Sequence, residues 1–168
     1  MTDGIVLLDI PIPSKNPFFV GIVAMHVLLG LAAVSSGAGA MLSRKGSARH
    51  VRFGRLYFWN LAGLFVTMSA LSALRWTEDW HLFALGTLAF ASAFAGRSFI
   101  RRRSPRLHLI LMGASYVLML TAFYVDNGKN LPLWRDLPAI AYWIVPAAVG
   151  VPPILYFSLR LPRLEWRT

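Results

Sequence analysis

The chain has 168 residues and no cysteine, which excludes disulfides, thiolate metal sites, covalent c-type haem attachment and a cysteine nucleophile. Hydrophobic residues make up 57% and charged residues 14%, against the roughly 25% charged of a soluble domain, so neither a soluble enzyme nor a disordered basic tail fits. Seventeen Lys and Arg face seven Asp and Glu, a net charge of +10, and the placement of that charge says more than its size.

The first stretch, 1–17, has no basic start, and its short apolar run ends at Asp9, so it does not read as a cleavable signal peptide. Prolines 11, 13 and 17 make it an extended lead-in outside the membrane. Five apolar stretches follow, near 18–42, 54–74, 80–100, 107–125 and 138–159, each of about the 20 residues a membrane-crossing helix needs. The sequence therefore predicts an all-α integral membrane bundle of five transmembrane helices. Residues 18–125 form a four-helix core, 126–137 an outer loop, and 138–168 a fifth helix with a cytoplasmic tail. Pro146, Pro152 and Pro153 predict a kinked last helix.

The loops set the direction of threading. Thirteen Lys and Arg fall in the first and third loops and the C-terminal tail, and four fall on the other side. Positive loops stay in the cytoplasm, which predicts an N-out, C-in protein, most simply in a bacterial cytoplasmic membrane. Six of the seven acids lie on the outer side. The basic clusters Arg44 to Arg55 and Arg97 to Arg106 sit between apolar runs, so their expected partners are the bilayer and its anionic headgroups, with no nucleic acid. Trp76, Trp80, Trp134 and Trp143 are expected in the outer interface belt, and Tyr57, Trp59 and Tyr156 in the inner one.

Four histidines are spread regularly. His26 lies in span one, His50 just before span two, His81 at the start of span three and His108 at the start of span four. Both halves read histidine, apolar span, basic loop, histidine, apolar span, and the loop ends Ser47-Ala48-Arg49-His50 and Pro105-Arg106-Leu107-His108 share a form. This predicts a duplicated helical hairpin with the fifth helix added. His26 is 18 residues from Arg44 and His81 is 20 from Arg101, about 27 and 30 Å along a helix, which puts both toward the outer face. His50 and His108 lie toward the inner face, with His50 near the loop.

Two tiers of histidine in a four-helix bundle fit two bis-histidine b-type haems, since neutral imidazole is an axial ligand of haem iron. The small-residue stripe His26, Gly30, Ala33, Gly37, Ala40 would leave space for a macrocycle, and span four sets His108, Met112, Ser115, Met119 and Ala122 on one face. Arg55, Arg75 and Arg106 are candidates to meet propionates. One histidine in or at each of four successive spans resembles the four-helix diheme b-type cytochromes of the transmembrane ascorbate-reducible kind. That resemblance covers about 18–125 and implies that His26 with His81, and His50 with His108, hold haem iron. The chain departs from that pattern with a flanking helix only at its C-terminal end. Segments 81–86 (His81 to Gly86), 105–108, 121–128 and Leu131-Pro132-Leu133-Trp134 are similar to a family of uncharacterised bacterial multi-pass membrane proteins. That likeness implies a location and no activity.

Simpler readings stand beside these. Histidine at a helix start often bonds backbone or headgroups, and a glycine stripe often serves tight helix packing. Without HExxH or HxxxH, a divalent-metal site has little support. In the outer loop Asp126, Asn127, Trp134 and Arg135 are candidates for a polar ligand, although Asp-Asn-Gly also makes an ordinary helix end and turn. Asn60 and Thr67 are expected to bond across helices. No Ser-His-Asp set, Walker loop or GxGxxG is present, so no catalytic residue is assigned. The expected function is transmembrane electron transfer through b-type haem. The alternative is a scaffold or small-solute carrier without haem. Redox partner and oligomeric state are open.

Overall fold

The computed structural model describes residues 16–100 and 104–161, and the backbone of 5–7, 10–12 and 101. Five long helices make up the described body: α1 Pro17–Leu42, α2 Ala48–Leu74, α3 Trp76–Arg101, α4 Pro105–Asn127 and α5 Ala139–Arg160. All five are long and apolar enough to cross a membrane, and the chain reads as a multi-pass membrane protein. Ahead of them, β1 Ile5–Leu7 pairs antiparallel with β2 Ile10–Ile12.

The helix starts follow local chemistry. Asn16 caps α1 by accepting from the Phe18 amide at 3.0 Å, with Pro17 as the first helical residue. Ser47 caps α2 by accepting from the His50 amide at 3.2 Å. This cap starts α2 six residues before the expected span, so His50 sits in its first turn rather than in a loop. Likewise α3 begins at Trp76, and His81 lies in its second turn. Gly46, at φ 78°, turns the chain between α1 and α2, where a side chain would be strained. The fifth helix runs from Ala139 to Arg160 with Pro146, Pro152 and Pro153 inside it.

Helices α1 and α2 form one closely packed hairpin, α3 and α4 a second, and α5 packs on α4. Glycines allow the close approaches. A Cβ on Gly37 would stand 2.5 Å from the Tyr116 ring and 3.0 Å from Tyr57, and one on Gly113 would stand 2.7 Å from Ile154. Between the hairpins the seam of α2 and α3 is aromatic. Phe65 stacks on Phe90 (5.2 Å between centroids, planes 6° apart), with Phe58 and Phe83 extending the column. The core is small, built from Ala33, Tyr57, Phe58, Leu61, Ala89, Ala93 and Met119. Tyr57 is therefore a core residue, 2% exposed, and not part of an interface belt.

The two hairpins are in register along the parallel pair α2 and α4. His50 meets His108, and seven residues on, about two turns, Tyr57 meets Ser115, 58 residues away in each case. One turn further, Leu61 and Met119 share the core cluster.

Candidate functional site

The starts of α2 and α4 form the most specific constellation in the bundle. The rings of His50 and His108 lie 6.4 Å apart between centroids, with planes at 77°. Each ring is anchored in the same way. His50 Nδ1 lies 2.9 Å from the carbonyl oxygen of Ala40, near the end of α1, and His108 Nδ1 lies 2.9 Å from that of Gly96, near the end of α3. A carbonyl oxygen only accepts, so both Nδ1 atoms carry the proton and donate it. In the neutral rings, Nε2 is then the bare nitrogen. Ligating histidines are commonly oriented by such a bond from the other ring nitrogen. Both α1 and α3 thus use a late carbonyl to orient the first-turn histidine of the helix that follows.

The donor set fits axial ligation. Two imidazoles on opposite sides of one metal ion, each at a bond of about 2 Å, hold their centroids roughly 6.3 Å apart. With both Nδ1 protons donated, Nε2 is on each ring the nitrogen that could bind a metal ion. Gly54, one turn further along α2, has nothing within 4 Å of the place its Cβ would take. The residues around the pair are cationic. Lys45 donates from Nζ to the Met41 carbonyl at 2.8 Å, and burial there holds its ammonium below the ordinary lysine pKa.

The outer histidines are arranged differently. His26 Nδ1 lies 2.9 Å from Thr67 Oγ1, across α1 and α2. The Thr67 hydroxyl donates to the Leu64 carbonyl at 2.9 Å, so it accepts from His26, whose Nε2 is also bare when neutral. His81 instead packs between Trp80 (5.9 Å) and Trp143 of α5 (6.0 Å). Among the described residues no ring contact joins His26 to His81. The structure brings together one of the two expected pairs. It also forms the expected cross-helix bond of Thr67.

Several residues considered from the sequence are engaged elsewhere. Arg106 donates from Nε to the Ser158 carbonyl at 2.8 Å, tying α4 to the end of α5. Arg75 pairs with Glu78 and with Asp79. The small-residue stripe on α1 is met by neighbours, Leu64 at Gly30 and Tyr116 and Tyr57 at Gly37, so it serves helix packing. In the outer loop Trp134 stacks on Tyr124 at 4.0 Å, and the Tyr142 hydroxyl donates to the Trp134 carbonyl at 3.2 Å. Asn127 donates to Asp126 at 3.2 Å and to the Phe123 carbonyl, and Arg135 pairs with Asp136 at 3.9 Å. Asp126 and Asn127 thus close α4, Arg135 pairs within the following turn, and Trp134 seats that turn between α4 and α5.

One polar element escaped sequence reasoning. The Tyr57 hydroxyl and Ser115 Oγ are 2.8 Å apart in the buried core, and Ser115 donates to the Met112 carbonyl. Ser115 therefore accepts the Tyr57 proton. The legible signal was the shared spacing of seven residues after a histidine in both hairpins.

Comparison with known proteins adds no neighbour: no family model matches the chain, and no curated protein or solved structure matches it.

Proposed function

We propose that this multi-pass membrane protein carries electrons through b-type haem, with His50 and His108 as the axial ligands of one centre. The observation that carries this reading is the His50–His108 pair at 6.4 Å, each ring oriented by a backbone carbonyl. Haem, when bound, supplies a one-electron couple whose potential follows its axial ligands and surroundings. The chain's own part is to hold both imidazoles with Nδ1 donated and to set Lys45 nearby. The core between the hairpins is mostly apolar, with the Tyr57–Ser115 bond inside it, and electron transfer needs no continuous polar path through such a core. The scaffold or carrier reading has no comparable arrangement behind it. The thirteen-to-four bias of basic residues supports an N-out, C-in protein in a bacterial cytoplasmic membrane, with this centre toward the cytoplasm. A second centre at His26 and His81 rests on their similar depth alone.

The test is a reduced-minus-oxidised absorption spectrum of the full chain purified after haem-replete expression. A sharp Soret shift and an α-band are expected. A flat difference spectrum from folded, helical protein overturns the proposal.

A further inference from the structure

Beside the histidine pair, but on the outward side of α2, lies a groove of about 360 Å³ lined by Gly46, Ala48, Val51, Arg52, Arg55 and Leu56. The helical members recur three and four residues apart, so they make one face of α2 over its first two turns. Three other described cations at this end are engaged within the protein: Arg106 on the Ser158 carbonyl, Arg97 over Phe58 at 4.6 Å and Arg160 over Tyr156 at 4.4 Å. The ion pairs among the described residues involve Arg75 and Arg135, and neither Arg52 nor Arg55 has a carboxylate partner there. Both are exposed, side by side on the groove wall. The rest of the wall is apolar, with Val51 51% and Leu56 46% exposed. One turn past Arg55 on the same face, Trp59 is 63% exposed, where an interface aromatic anchors at headgroup level.

We infer that this groove binds the headgroup of an anionic phospholipid of the phosphatidylglycerol class. Guanidinium groups pair with phosphodiester oxygens in a fork that a lysine cannot reproduce. A free phosphate would answer the two arginines but leave Val51 and Leu56 facing water. A zwitterionic lipid brings its own cation beside Arg52 and Arg55. A lipid with an uncompensated phosphodiester and an acyl chain matches both the charge and the apolar wall. Arg55, a propionate candidate from the sequence, lines this groove instead, and neither arginine takes part in orienting the histidines, so the inference does not depend on haem.

The test is native mass spectrometry of the full chain released from mixed phosphatidylcholine and phosphatidylglycerol vesicles. The wild type is expected to retain phosphatidylglycerol in preference to phosphatidylcholine, and inorganic phosphate should not displace it. Arg52→Gln with Arg55→Gln should lower that preference by about tenfold or more. Arg135→Gln, at the opposite end, should leave it unchanged. An undiminished preference in the double variant, an equal fall in Arg135→Gln, or full displacement by inorganic phosphate each overturns the site.

Discussion

The two ends of the bundle carry the same residue type in opposite states. At the basic end, His50 and His108 are drawn together, each held by a carbonyl of the preceding helix. At the other end, His26 is drawn to Thr67 on α2, and His81 turns to Trp143 on α5. The difference teaches that histidine depth does not make a pair. At the basic end both hairpins orient their histidine by an equivalent internal bond. At the other end the fifth helix, which has no counterpart in the first hairpin's surroundings, supplies an aromatic partner to one histidine only, and the symmetry breaks.

The largest expected effect breaks this comparison outright. His108→Ala or His50→Ala should abolish the α-band of the inner centre, because one imidazole cannot supply both axial bonds, while His81→Ala should leave that band in place. Loss of the band in His81→Ala, with His108→Ala unaffected, would transfer the centre to the outer tier. Reduced-minus-oxidised spectra of the three variants decide it.

Stability measurements sharpen the same contrast. Gly37→Ala places a methyl 2.5 Å from the Tyr116 ring, and overpacking of this kind costs about 1–3 kcal/mol, measurable as a lower unfolding midpoint in detergent. Gly54→Ala, where nothing lies within 4 Å, should show none of that penalty. Tyr57→Phe removes the buried bond to Ser115 that ties the hairpins beneath the histidine pair, and should cost about 0.6–1.7 kcal/mol, the range of hydrogen bonds between membrane helices. The smallest effect is expected at the outer tier. Thr67→Val removes the acceptor of His26 Nδ1 and should cost about 0.6 kcal/mol without moving the inner α-band. A shifted inner band in that variant would mean that the two ends are coupled.

Much of this architecture is legible in the chain because lipid leaves few options. Apolar runs of span length must become helices, and five runs give five helices, with ends moved by a few residues where Ser47 and Asn16 could cap. The recurrence of histidine beside a basic loop is legible too, and it marks the two helix starts whose rings the structure brings together. The folded turn after Asp126 is foreshadowed by Asp-Asn-Gly, but the stacking of Trp134 on Tyr124 and the seating of the turn on Tyr142 depend on α5, which the local residues do not reveal.

By itself the sequence determined the class of fold, the number of helices and which loops share the basic end, since hydropathy and charge act locally along the chain. The tertiary structure alone decided which imidazoles meet. That outcome depends on the rotation of α2 against α4 and on competing partners, Ala40 and Gly96 on one side and Thr67 and Trp143 on the other, and none of these is adjacent in sequence to the histidine it holds. Packing also decided that Tyr57 lies in the core and that the glycines of α1 admit aromatic rings, because a glycine records only that something comes close and not what comes.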